Sequence, residues 1–356
     1  MKDNSTQFDH WLSEDDASAP AALVIREHLM PVEGTDGVLF PSTYAASEDK
    51  SFAGGYNIDG PSDGENVCLI DSVGSQANRI EPIFLQPTYE KLVPRIVVKA
   101  GDREISILEA GHRAGDALVR CSSLQAELLK AFKEAQRGNA FPLAKIAPTS
   151  LVFGVWDSRE TGAKLPRVIA STIRAYNVKP LTRSAQFVPA TSYVEDGLLE
   201  EPTTKKVKDS YASRGFIHIP ASAKHGGVIS TGGIRREATL NLAALRLLSV
   251  KGAKDDTTAL RRYILGLSLV AFTHPSAFVG YLRQGCTLVL NPDKQRESVA
   301  VYPDGKRVVS PITHDAAMQF ASAAAKAFGV GDDKTVEFDI KAAKRDLASK
   351  DKAAEE

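Results

Sequence analysis

Between Lys145 and Arg183 the chain carries seven basic side chains, Lys145, Arg159, Lys164, Arg167, Arg174, Lys179 and Arg183, against two acidic ones, Asp157 and Glu160. The chemistry such a stretch supports is grip. Each Lys or Arg laid on a phosphate releases counterions and adds affinity without reading sequence. If 167–175 is extended, Arg167, Ile169, Ser171 and Ile173 share one face, and Val168, Ala170, Thr172 and Arg174 the other. Cations then leave both sides of the strand, which suits a sheet rim better than a doubly buried sheet. Trp156 offers a plane for base stacking, a contact worth roughly 1–3 kcal/mol when lost; a core tryptophan fits the sequence equally well. The run Thr231-Gly232-Gly233-Ile234-Arg235-Arg236 reads as a helix start, with bare amides and two guanidinium groups at the positive dipole end, an arrangement that suits an anion. The alternative there is an ordinary glycine turn with a solvated arginine pair.

Signals for bond-making chemistry are weaker. The chain has no Gly-x-x-x-x-Gly-Lys-Ser/Thr loop and no Gly-x-Ser-x-Gly elbow, so nucleotide hydrolysis and serine esterase chemistry lose their usual anchors. His112 with Asp116 at i, i+4, and Asp157 beside Arg159, have the types for acid and base work, but a capping histidine and a stabilising ion pair explain them as well. The seven histidines contain no pair spaced like zinc ligands, and Cys68, Cys121 and Cys286 stand far apart, as buried thiols do. No cofactor and no metal are expected.

The elements that position the cations sit in a chain of 356 residues with 44 basic and 44 acidic side chains, 43% of it apolar, enough to bury a core. Neutrality hides an asymmetry. Residues 1–81 carry 4 basic and 15 acidic side chains, and residues 82–246 carry 24 and 15. Screening over about 8 Å keeps such fields local, so the middle reads as a polyanion-binding region. The longest apolar run, 263–272, is half of the roughly 20 residues a membrane span needs. The first residues lack an apolar leader, and a cytoplasmic protein is expected.

Along the chain, residues 1–20 are polar and expected to fray, and 21–29 forms a short helix or strand. Residues 34–64, with six glycines, read as turns and short strands. A strand at 67–70 leads to a helix capped near Ser72, and 95–100 with 104–108 forms a hairpin about Gly101-Asp102. Helices are expected at 112–119, 124–134, 239–250, 256–272 and 316–328, and strands at 151–155, 168–176, 288–290 and 298–302. The stretch 198–227 has too little to bury for an ordinary connection and reads as a protruding hairpin. The tail from Lys341 reads as solvated. Without regular βαβ alternation, the fold class is α+β.

Several of these segments are familiar. The run from Leu143 to Arg159 (LAKIAPTSLVFGVWDSR), with KLPR at 164–167 and RSAQ at 183–186, resembles the backbone subunit of type I-G (formerly I-U) CRISPR interference complexes, a Cas-seven-type RAMP protein. DSVGSQANRIEP at 71–82, EAGHRAGDA at 109–117, and the pieces Gly226-Gly227-Val228 and Arg235-Arg236-Glu237 match it in order. The resemblance covers roughly residues 67–250. It implies a ferredoxin-like or RRM-like palm over 67–335, with a finger-like insertion in the acidic segment 1–66, a thumb hairpin over 198–227 and a flexible tail over 336–356.

The resemblance also implies a non-catalytic role: binding guide crRNA by its phosphates, polymerising head to tail along the spacer, and presenting bases to target DNA. Implied partners are further copies of the chain, a Cas-five/Cas-six-type fusion, a large subunit, and a helicase-nuclease recruited after target binding. Carried over, Ser75, Gln76, Asn78 and Arg79 look like the guide-contacting helix start. Arg113, Lys145, Trp156, Arg159, Arg167, Arg174, Arg183, Arg235 and Arg236 are further RNA-contact candidates. Lys205, Lys206, Lys208, Arg214, Phe216, Lys224 and His225 belong to the thumb. A head-to-tail stack uses a heterologous interface, and the acidic first 81 residues of one copy could meet the basic middle of the next. The alternative class is a ribonuclease using a loop aspartate, Asp157 or Asp209; a third is a metabolic enzyme with a phosphate site.

Overall fold

The computed structural model describes residues 5–14, 18–61, 64–183, 185–221, 225–274 and 280–353. Its centre is an antiparallel sheet. The strands used below are β1 (Ala22–Pro31), β2 (Val67–Asp71), β3 (Ile169–Tyr176), β4 (Ile234–Asn241), β5 (Cys286–Leu290) and β6 (Glu297–Val301). The helices are α1 (Val73–Ile80), α2 (Lys254–Thr273) and α3 (His314–Phe328). Spatial order is β5-β1-β4-β3-β2, with β6 also paired to β1. With β2 set aside as an added edge, β1, β3, β4 and β6 lie in the order 4-1-3-2 with every pairing antiparallel, the α+β arrangement of an RRM-like palm.

Alternation in β1 is strict. Leu23, Ile25, Glu27 and Leu29 are buried, and Val24, Arg26, His28 and Met30 keep partial exposure. The buried face is covered by two apolar clusters. One joins Leu23, Ile25, Ile169, Ala238 and Leu240 to the helices. The other joins Leu29, Ile173, Ala175 and Ile234 to Leu39, Val228, Cys286 and Leu288. Within the first, α2 packs on α3 so closely that a Cβ on Gly266 would sit 2.8 Å from the Ala321 Cα. Tyr263 stacks on Phe328 at 4.6 Å between ring centres.

Several expectations are corrected by tertiary context. Residues 234–241 form a strand, followed by only a short helix at Leu242–Arg246, so the sequence Thr231 to Arg236 is a glycine turn into β4 and not a helix start. Residues 148–153 are helical, with Pro148 in the first turn, where a strand was expected over 151–155. The first residues do not fray among those described: Phe8 and Trp11 stack at 4.7 Å inside the core, while Asp9 and Glu14 pair with Arg262 and Arg261 of α2. The tail is a helix, Ile340–Ala353, tied back by Asp346 to Arg120 at 2.7 Å. No helix among the described residues is long and apolar enough to cross a membrane.

α2 ends beside an imidazole pair. The Thr273 hydroxyl donates to the Leu269 carbonyl at 2.8 Å, so it accepts from His314 Nδ1 at 2.9 Å, and His314 Nε2 accepts from the Tyr89 hydroxyl at 2.8 Å. Burial lowers the proton affinity of His314, and burial with His314 alongside lowers that of His274. Below the ordinary imidazole pKa of about 6.5, the unfolded chain therefore takes up the proton before the folded one, and folding loses free energy as pH falls. The stability advantage of the native chain over His314→Gln should shrink from pH 7.5 to pH 5 in thermal melts; an advantage that grows would reverse the assignment.

Candidate nucleic-acid interface

Beside the helix layer, a short hairpin pairs Val155 with Leu165 and Trp156 with Lys164. Its turn is held from inside. Asp157 is buried, and its carboxylate accepts the amides of Glu160 (3.4 Å) and Thr161 (2.9 Å) and the Thr161 hydroxyl (2.6 Å). The aspartate that a cleavage chemistry would invoke is thus spent on the turn. The hairpin leaves Trp156 60% exposed with the Lys164 ammonium 5.7 Å from its ring centre. Gly154 has φ +79°, and a Cβ there would meet Arg167 Cγ at 2.7 Å. Glycine lets the chain turn while Arg167 lies against it and donates to the Phe153 carbonyl at 3.0 Å.

These pieces wall a groove of about 780 Å³ together with the loop Gly111 to Ala117. Its basic lining is Arg113, Arg120, Arg159, Lys164 and Arg167, with His112 and Trp156, and no carboxylate contributes. Arg113 is answered by Glu81 at 2.5 Å and Arg120 by Asp346, which leaves Arg159, Lys164 and Arg167 without an acidic partner among the described residues. Burial, and after it the neighbouring Arg113, push the pKa of Arg167 down. The first turn of α1 reaches the same rim, since a Cβ on Gly74 would lie 3.8 Å from the Arg167 guanidinium. Asn78 is exposed beside Gly111.

α1 forms where Ser72 accepts the amide of Ser75 at 3.2 Å. Below it lies a polar layer. Asp71 accepts from Ser75 Oγ (2.7 Å), Gln76 Nε2 (2.6 Å), Arg79 Nε (3.2 Å) and Arg283 (3.3 Å). Gln76 accepts from Ser171 at 2.9 Å, Arg236 reaches Ser171 at 3.3 Å, and the Arg236 Nε binds Glu27 at 2.6 Å. Arg296 holds the other Glu27 oxygen at 2.9 Å.

This layer takes several candidates off the surface. Gln76 and Arg236 are fully buried, and Arg113 is buried with its guanidinium on Glu81, the Gly154 carbonyl and Asn78. Lys145 is engaged as well: its ammonium caps α3 by donating to the carbonyls of Phe328 (3.1 Å) and Gly329, over the rings of Phe141 and Phe328. Arg167 precedes β3 at the groove, while Arg174 lies on the uncovered face of the sheet with Arg235, so the cationic stripe of the sequence divides between two surfaces.

The expected hairpin is the distal part of a longer arm. It leaves the β3-β4 pair through Val178–Pro180 against Val228–Ser230, continues as Ala185–Phe187 against Ile219–Ala221, and carries a helix at Lys205–Ser213 capped by Thr204. No residue of that helix is buried, and Lys205, Lys206, Lys208 and Arg214 are exposed. Phe216 packs against Tyr193 and Tyr211, giving the tip a small aromatic centre. His225 sits at the root, 5.2 Å from the Tyr56 ring, and Arg183 is exposed two residues beyond Leu181, whose carbonyl accepts the Gly226 amide at 2.8 Å. Lys224 lies outside the described residues. Sequence reasoning omitted Lys164 from the contact set, although its place in the cationic stretch was visible; its pairing with Trp156 was not.

With this geometry in place, comparison with known proteins is informative. Residues 23–180 match the model of a family described as CRISPR-associated protein GSU0053, which indicates a CRISPR-associated protein. The matched span contains α1, the groove and β3, and stops at the first strand of the arm. No curated protein matches the chain.

Proposed function

We propose that this CRISPR-associated chain is a guide-RNA-binding backbone subunit, a Cas-seven-type RAMP protein of a type I-G complex, that polymerises along the spacer and presents it to target DNA without cutting it. The observation that carries the reading is the groove: Arg159, Lys164 and Arg167, with no acidic partner among the described residues, line it beside an exposed tryptophan. Such a lining holds a phosphate chain and stacks a base without selecting sequence, the division of labour required when base pairing supplies specificity. The arm supports it, since it carries a second set of cations beyond two successive pairs of antiparallel strands. Asp9 and Glu14 pair within the chain, so among the described residues the acidic surface offered to a neighbouring copy is the exposed set Glu33, Asp36, Glu48, Asp49, Asp59 and Glu65. The other subunits and the helicase-nuclease follow from the same reading.

The test is titration of the chain onto RNAs of increasing length in magnesium, followed by sedimentation. Complex mass should rise in steps of one 38.3 kDa chain, and the RNA should be recovered intact. Trp156→Ala should weaken binding by at least about 1 kcal/mol, roughly fivefold. RNA that neither binds nor raises the mass, or that returns cut, defeats the reading.

A further inference from the structure

The sheet has a second, uncovered face, and its charges are arranged unlike those of the groove. In register, His28 of β1 stands opposite Arg235 of β4, and Arg235 stands opposite Arg174 of β3. Strands about 4.8 Å apart place this row across roughly 10 Å of sheet. All three side chains keep partial exposure. Next along β3, Tyr176 lies under the Arg235 guanidinium, 3.9 Å from ring centre to Cζ. Among the described residues no carboxylate meets Arg235, and its shielded Nε has no hydrogen-bond partner. Arg174 donates to the Thr172 hydroxyl at 2.8 Å.

The adjoining row is balanced. Arg26 binds Glu237 at 3.1 Å and Glu297 at 3.5 Å, and Arg307 binds Glu297 at 2.5 Å. Those carboxylates are therefore committed, and Arg235 and Arg174 in the neighbouring row keep their charge beside the His28 imidazole. Burial, then Arg235, Lys294 and Arg26, push the His28 pKa down, so that row sits in a positive field. Arg174 is seven residues along from Arg167, about 23 Å on an extended strand, and on the face away from the helices that wall the groove.

We propose that this bare face is a second binding surface, separate from the groove, for a single-stranded polynucleotide held by its phosphates on His28, Arg235 and Arg174. The Arg235-Tyr176 stack supplies a flat platform of the kind on which bases stack. Side chains that hold the strand by its phosphates do not read the sugar, so RNA and DNA strands are taken alike.

Photo-crosslinking of the full chain to 15-mers carrying 4-thiouridine or 4-thiothymidine, followed by peptide mapping, tests this without any variant. Adducts from both strands on the peptides holding His28 or Tyr176 are expected. Adducts confined to the Trp156 region overturn the inference and leave the groove reading standing; adducts on the sheet face alone support the inference and count against the groove. A chain with Arg174→Glu and Arg235→Glu, checked for native circular dichroism, should lose these adducts and at least tenfold in affinity for oligo-dT. Retained adducts in that variant, or displacement of oligo-dT by polyglutamate at equal charge, which would identify an acidic protein partner, also overturn it.

Discussion

Glu27→Ala is expected to cost about 3–5 kcal/mol of folding stability, a large part of the roughly 5–15 kcal/mol that a folded domain has. The reason is positional. Arg236 is fully buried, its Nε 2.6 Å from Glu27, and burial pushes its pKa down to about 10 even with that carboxylate beside it. Alanine would take the carboxylate from the Arg236 Nε, leaving a buried guanidinium charge between two apolar clusters without the Glu27 carboxylate, and would free Arg296 from it as well. Urea unfolding should show the midpoint fall with an unchanged slope. Replacing both partners, Glu27→Met with Arg236→Met, should recover most of the loss, because a buried pair is worth little against apolar residues of similar volume. A single substitution costing under 1 kcal/mol would show that water or another group already balances Arg236.

The joint replacement of Arg159, Lys164 and Arg167 by alanine is expected to weaken RNA binding roughly 50-fold at 0.15 M salt. Each phosphate contact on a single strand contributes about 0.7 to the slope of log K against log salt, so three lost contacts should flatten it by about 2. These three line the groove without an acidic partner among the described residues. Arg113, Arg120, Lys145 and Arg236 are each answered within the fold. Fluorescence anisotropy across a salt series reads both quantities. A slope unchanged from the native chain removes the groove from the RNA path.

Much of the palm is legible in the sequence because its determinants are local. Ser72 announces α1 through its cap, the turn at Gly101-Asp102 joins its hairpin, and α2 stops at His274 ahead of a proline. What failed was non-local. Residues 239–250 carry leucines at helical spacing, yet β4 runs through Asn241, because pairing with β1 and β3 on both sides outweighs that pattern. Leu151 to Phe153 is buried on all sides, so its apolar run carries no periodicity to separate helix from strand. The site divided in the same way. The excess of cations was countable, but which of them remain free depends on Glu81, Asp346, Glu27 and the α3 carbonyls, partners far away in the chain.

The pairing of Glu27 with Arg236 joins positions 209 residues apart and directly opposite across two central strands. Side chains alternate sides along a strand, so a slip of one residue between β1 and β4 would turn Arg236 out to solvent and drive its neighbour into the interior opposite the wrong partner. A slip of two keeps each side chain on its own face, which an all-aliphatic centre would tolerate, but here it would set Glu27 against Ile234 or Ala238. The acid at position 27 therefore acts as a key during assembly of the sheet, admitting one alignment of the two strands and rejecting those beside it.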